Sequence, residues 1–277
     1  IPYMFWNISF VDAVFESMSG VTTTGATIFT DFNLYPRSLF FWRNLSQWLG
    51  GMGIIVLFIA ILPQFAIAGR QLFFAEAPGP TEDKLTPRIR HTAMHLWAVY
   101  LGLTLIEISL LTTFGMPLFD SICNSLSTLS AAGFSPNALS IAGYENHAVE
   151  WIMVLFMFLA GANFALQYKV WRYGTFKVLL KSSAFILYTV IFLVASVFVA
   201  FILNIYHISD FIEALRLGAF QCISILTTTG FASVDFSKWP DAAKVILLGL
   251  MMIGGCAGSA GGGIKVVRIL LLVKIAL

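Results

Sequence analysis

The sequence predicts an all-α integral membrane protein assembled from tandem repeat units, and three observations predict it. Hydrophobic residues make up 58% of the chain and charged residues only 11%, against about 25% charged in a soluble domain, and mean hydropathy is +0.86. The tetrapeptide Thr22-Thr23-Thr24-Gly25 recurs as Thr227-Thr228-Thr229-Gly230, with a weaker copy at Ser130-Ala131-Ala132-Gly133, so that the glycines fall 108 and 97 residues apart. Each copy follows an apolar segment too short to cross a bilayer, which takes ~20 helical residues.

The match extends backward from the glycine. Ser19, Ser127 and Ser224 stand six residues before it, and Val21, Leu129 and Leu226 four before it. A fixed period of this kind marks an internal repeat. The short segments run from Asp12 to about Val21, from Asp120 to Leu129 and over Ala214–Leu226, the last behind an Asp210/Glu213 helix-start signal. Long apolar segments follow at roughly Leu45–Ala68, Ala148–Tyr168 and from Ala242 onward. Others precede the second and third copies at about Thr92–Phe114 and Ser182–Tyr206, the latter about 25 residues without a charge. Each unit thus reads as spanning helix, half helix, Gly turn, spanning helix, with the first helix missing from unit one. The expected boundaries are 1–69, 70–175 and 176–277.

Orientation follows from the basic residues. Arg70, Lys84, Arg88 and Arg90, then Lys169, Arg172, Lys177 and Lys181, then Lys265, Arg268 and Lys274 flank the spans on one side, which the positive-inside rule makes cytoplasmic. The acids Asp31, Glu145, Glu150, Asp210, Asp235 and Asp241 fall mostly on the other side, so the half helices and their glycines enter from outside. The partner on most sides is lipid. A net charge of +2 without a basic arm or finger spacing argues against nucleic acid. Cys123, Cys222 and Cys256 lie far apart in apolar sequence and form neither a disulfide framework nor a metal motif. Ile1-Pro2-Tyr3 has no basic signal region and no initiator Met, so the chain is expected to begin inside a longer protein.

Non-helical backbone at membrane depth is tolerated where it is buried in protein or lines a watery cavity. Three such stretches entering from one face most economically surround one axis. Glycine reaches φ > 0 without penalty and lets the preceding carbonyls turn, and rings of carbonyls replace the water shell of a permeating cation. The predicted ion-binding residues are therefore Thr22, Thr23, Thr24 and Gly25, Ser130, Ala131, Ala132 and Gly133, and Thr227, Thr228, Thr229 and Gly230, with threonine hydroxyls as added oxygen ligands. The C-terminal ends of the half helices favour a cation in the cavity below. The competing readings are Gly/Thr helix-packing motifs and a phosphate-cradling loop, but neither G-x-x-x-x-G-K-[ST] nor G-x-G-x-x-G occurs.

A second irregular stretch, Gly254-Gly255-Cys256-Ala257-Gly258-Ser259-Ala260-Gly261-Gly262-Gly263-Ile264-Lys265, interrupts the last long segment at the depth of mid-membrane. That many glycines, at ~1 kcal/mol each, do not hold a helix, and a flexible gating loop beneath the filter is predicted. A close helix crossing enabled by small residues is the plainer alternative. Gly50-Gly51-Met52-Gly53 and Ala160-Gly161-Ala162-Asn163 are its shorter counterparts. Glu107 within a span reads as a structural acid or a transport site, and Glu16 as a bond to a neighbouring turn or a cation-attracting charge. His91, His95, His147 and His207 share no ligand spacing. Asn7-Ile8-Ser9 and Asn44-Leu45-Ser46 match the glycosylation sequon.

The runs Phe15–Thr27, Gln47–Ile54 and Gly254–Arg268 resemble the TrkH branch of the Trk/Ktr/HKT potassium transporter superfamily, and the resemblance extends along the whole chain. It implies a pseudo-fourfold, K⁺-channel-like fold in which four repeats of outer helix, pore helix with filter loop, and inner helix surround one pore. It places K⁺ coordination in the three filter turns and the gating loop at Cys256–Gly263. It also implies a homodimer in the cell inner membrane, served by a cytoplasmic ring of TrkA-like nucleotide-binding regulatory subunits. No cofactor beyond the transported K⁺ and no enzymatic activity are expected. The fourth repeat and the first outer helix are missing from the pattern, and Ala131 and Ala132 replace threonines in unit two. In this family serine for the first filter glycine accompanies sodium permeation, so Gly25 favours K⁺. A secondary transporter with broken helices and a membrane enzyme are the other classes. The sequence leaves open whether ions move passively or with a coupled ion.

Overall fold

A computed structural model describes residues 2–53 and 86–276. The described residues are helical and carry no strand. The first long segment beyond residue 53, with Arg70 and Lys84, lies outside them.

Three short helices carry the repeat. α1 (Phe10–Val21) starts where the Ser9 hydroxyl accepts the Asp12 amide at 3.2 Å, a bond that satisfies one of the free N–H groups of a first turn. α2 occupies residues 37–53. After α3 (Thr86–Thr113), Pro117 fixes the start of α4 (Leu118–Leu129), with Asp120 in its first turn. α5 (His147–Gly161) and α6 (Phe164–Tyr173) are each capped by an asparagine, Asn146 and Asn163. The short α7 (Lys177–Leu180) leads to α8 (Ser183–Ile205). α9 (Phe211–Leu226) begins after Asp210, whose side chain makes no capping bond; Glu213 pairs with Arg216 at 3.2 Å instead. The helix does begin where the Asp210/Glu213 signal placed it. α10 (Asp241–Ile253) and α11 (Val266–Ala276) flank the glycine-rich stretch.

At 12 residues, α1 and α4 are about 18 Å long at 1.5 Å per residue, half a bilayer. Two helical stretches, Ala93–Thr113 and Ser183–Ile205, are long and apolar enough to span. The segment expected as one span over Ala148–Tyr168 is instead a pair of helices, α5 and α6, bent by 102°. Asn163 is the cause: its side chain accepts the amides of Ala165 at 2.8 Å and Leu166 at 3.1 Å, starting a new helix in a new direction.

α8 shows how the helices distinguish protein from lipid. Tyr188, Phe192, Ala195, Val199 and Leu203 are buried at helical spacing, while Ile186, Val190, Leu193, Val197 and Phe201 on the other face are exposed. A helix apolar on both faces buries one against protein and leaves the other for hydrocarbon. The largest core joins α5, α8, α9 and α10 through Met153, Met157, Tyr188, Phe220, Phe231 and Leu247. A second packs Met52, Tyr100, Phe156 and Phe164, and a third packs Tyr3, Phe29, Leu39 and Phe40 around the first unit.

Candidate functional site: three Gly turns and a glycine loop

The backbone leaves α1, α4 and α9 along one path. Thr23, Ala131 and Thr228 adopt φ of +57°, +53° and +60°, and Gly25, Gly133 and Gly230 adopt +78°, +81° and +86°. The first trio are ordinary L-residues in the left-handed region, at roughly 1–2 kcal/mol each. Three repetitions of the same strain show a backbone pinned by its bonds. Those bonds also repeat. The amides of Thr23, Ala131 and Thr228 each donate to the carbonyl three residues back at 3.0 Å. The amides of Thr24, Ala132 and Thr229 donate to the carbonyls of Ser19, Ser127 and Ser224 at 2.9, 3.1 and 2.8 Å. The last helical carbonyls are thereby satisfied without continuing the helix.

The turns abut in order. A Cβ on Gly25 would lie 2.2 Å from the Ala132 carbonyl oxygen, and one on Gly133 2.1 Å from that of Thr229. A Cβ on Gly230 would meet no atom of the described residues within 4 Å. The twelve residues named from sequence thus meet as a row of three adjoining turns, first against second and second against third. Glycines of α2 and α5 let those helices close in beneath. A Cβ on Gly51 would lie 2.8 Å from the Cβ of Ser130, and one on Gly161 2.5 Å from Cγ2 of Thr227, so each inner helix packs under the next unit's turn.

The hydroxyls serve as braces. Thr22 and Thr227 donate to the carbonyls of Met18 and Ile223 at 2.6 and 2.7 Å, and each sits 2.7 Å from the hydroxyl of Thr24 or Thr229. Ser130 turns back to Leu126 O at 2.9 Å. Ser19 and Ser224 donate to the carbonyls of Ala26 and Phe231 at 2.5 and 2.6 Å, clamping the far side of the turn. In unit two Gln47 of α2 intervenes: it accepts from Ser127 at 2.7 Å and from the Phe134 amide at 3.3 Å, and its Nε2 donates to Ala132 O at 3.0 Å. Asn44 donates to Cys123 O at 2.7 Å and to Phe134 O at 2.8 Å from full burial, which removes it as a glycosylation site. Neither Asn44 nor Gln47 was singled out as a site residue from sequence. The signal was the cluster of polar side chains, Arg43-Asn44 and Gln47, inside an apolar segment.

The stretch Gly254–Lys265 is an ordered turn. Gly254 and Gly263 face each other, where a Cβ on either would lie within 2.7 Å of the other's Cα. Lys265 N donates to Ile253 O at 2.9 Å and Val266 N to Gly255 O at 3.1 Å, closing its neck. Cys256 and Ala260 donate from their amides to the carbonyls of Gly161 and Ala160 at 2.9 and 3.1 Å, and Asn163 Nδ2 reaches Ala257 O at 2.7 Å. Phe164 N donates to Gly258 O at 3.0 Å, and Ser259 turns back to Cys256 O at 2.7 Å. Above, a Cβ on Gly261 would lie 2.6 Å from Thr227 O, and Gly262 N donates to the Thr228 hydroxyl at 2.6 Å. The Lys265 ammonium donates to Gly261 O. The stretch therefore lies between the α5–α6 break and the third turn.

The two acids separate. Glu16 is fully buried and bonded by Thr27 Oγ1 at 2.6 Å, the Ile28 amide at 2.7 Å and Arg43 Nε at 3.3 Å, while the Arg43 guanidinium lies 3.9 Å from the centre of the Phe134 ring. It is structural, fixing the descent from the first turn. In unit three the buried Arg216 of α9 pairs with Glu150 of α5. Glu107 is fully buried and neither oxygen has a partner among the described residues. Outside the spans, Asp235 caps the turn after unit three, and bonds from the side chain and amide of Ser237 hold its carboxyl below the usual range. His95 stacks on Tyr168 at 4.6 Å. Among the described residues no group of three His, Cys, Asp or Glu is placed to hold a metal ion.

Residues 5–277 match the family model described as "TrkH: Cation transport protein". The chain is 43% identical over 272 residues to the Trk system potassium uptake protein TrkH of Vibrio parahaemolyticus, covering 96% of this chain and 56% of that protein. It is 40% identical over 279 residues to the TrkH of Salmonella typhimurium, covering 99% and 58%. The crystal structure of the potassium transporter TrkH from Vibrio parahaemolyticus superposes with a TM-score of 0.87 at 38% identity, over 97% of this chain and 55% of that one. The chain thus spans a little over half the length of the curated relatives it matches.

Proposed function

Because this chain belongs to the TrkH family of cation transport proteins, we propose that it contributes three filter turns and a gate to a potassium-uptake pathway. The observation that carries the reading is the row of turns. Three copies of one strained backbone adjoin each other at the ends of three short helices, of 12, 12 and 16 residues. Carbonyls around such turns take over an ion's hydration shell. The hydroxyls of Thr22 and Thr227 keep acceptor lone pairs after donating backward. Unit two keeps the Ser130 hydroxyl, which also donates backward, but has Ala131 and Ala132 where the other units carry threonine, and the Ala132 carbonyl is shared with Gln47.

In this reading the repeats run over 1–69, 70–175 and 176–277, the turns face outside, and Gly254–Lys265 obstructs the path beneath them. The protein lies in the cell inner membrane as a homodimer and answers to a cytoplasmic nucleotide-binding subunit. Rb⁺ uptake into vesicles carrying the whole protein tests the transport reading. Uptake above that of empty vesicles, unaffected by a tenfold excess of Na⁺, is expected; its absence overturns the proposal. Deleting Ala257–Gly262 tests the gate, with a raised Rb⁺ leak expected. The dependence of uptake on an imposed proton or sodium gradient separates passive from coupled movement.

A further inference from the structure

Among the described residues, the third turn is the one that bonds to the glycine loop. Gly262 N donates to the Thr228 hydroxyl at 2.6 Å, so the filter turn and the glycine loop share a hydrogen bond. Thr228 sits in the left-handed region at φ +60°, a conformation that persists only under local bonds. Its amide is held by Ile225 O at 3.0 Å and its side chain by Gly262. The same loop segment is gripped from the other side by Lys265, itself strained at φ +77°, through its ammonium on Gly261 O. Unit two has Ala131 at the position of Thr228 and no hydroxyl to offer.

We propose that Thr228 is a positioning residue that latches the glycine loop to the filter, so that release of the loop also releases one wall of the filter. The proposal rests on the gate reading above and adds its regulation. A loop that leaves takes away the Gly262 donor, and the Thr228 side chain then no longer helps hold the strained backbone of the third turn. Opening and ion selection are coupled at this one wall, and the walls at Thr23 and Ala131 need not change.

The test uses Rb⁺ and Na⁺ flux through the whole protein in vesicles. Thr228→Val keeps the shape and removes the acceptor. Loss of one hydrogen bond should raise the leak about threefold to tenfold and raise Na⁺ flux relative to Rb⁺. Thr228→Ser restores the hydroxyl and should leak at least threefold less than the valine variant. Equal leak in the two variants overturns the latch. A second measurement uses proximity, since a Cβ on Gly262 would lie 3.8 Å from the Cβ of Thr228, the spacing of a disulfide. The Thr228→Cys/Gly262→Cys pair should cross-link on oxidation, with Rb⁺ flux falling to background and returning with reductant only when both cysteines are present. Failure to cross-link overturns the latch. A cross-link that leaves flux intact, or a loop deletion without leak, overturns the gate reading itself. A leaking deletion with a silent Thr228→Val overturns the latch alone.

Discussion

The second and third turns trace the same backbone with different supports. In the third, the turn supports itself: Ser224 clamps Phe231, Thr227 meets Thr229, and Thr228 reaches the loop. In the second, alanines have replaced two threonines, and Gln47 from the neighbouring α2 bonds Ser127, Phe134 and Ala132. One conformation can therefore be held from within or from next door. The self-braced turn also bonds to the glycine loop through Thr228, whereas the second turn takes its support from Gln47 of α2.

That contrast can be broken most severely at Gly133. Its φ of +81° and the 2.1 Å approach to Thr229 O leave no room for a methyl group. Gly133→Ala should lower folded protein in membranes and Rb⁺ uptake by more than tenfold, read by detergent-solubilised yield and flux. Glu16→Ala comes next, stranding the buried Arg43 at a cost of about 3–5 kcal/mol, visible as a lower thermal unfolding temperature. Gln47→Leu strips the second turn of its neighbour's bonds and should cost about 2–4 kcal/mol, since Ser127 and the Phe134 amide are left buried without a partner. The matching change in the third turn, Ser224→Ala, removes one bond and should cost about 1 kcal/mol. If the two unfolding shifts are equal, support from next door is not what distinguishes the turns. Gly230→Ser should cost a comparable amount, about 1–2 kcal/mol through its φ of +86° alone, and should show itself as weaker selection of K⁺ over Na⁺.

Much was legible beforehand because it is carried by composition and local pattern. The repeat, the half-length helices and the glycine positions followed from residue spacing, and the six-residue serine offset pointed at real clamps at Ser19 and Ser224. The α5–α6 break falls at Ala160–Asn163, a stretch the sequence already set beside the glycine loop, but its 102° bend was not legible, because the turn comes from one asparagine capping a new helix. Glu16 could not be assigned because its partner Arg43 lies 27 positions away.

By itself, the sequence determined that this is a helical membrane protein with three equivalent Gly turns, because bilayer length and the steric freedom of glycine act within a few residues of each position. The tertiary structure alone decided which turn leans on which, that Gln47 braces the second turn from α2, and that the glycine loop bonds to Thr228. Those are pairings between groups 34 to 87 positions apart, and hydrogen bonds of that range are fixed by how the helices pack.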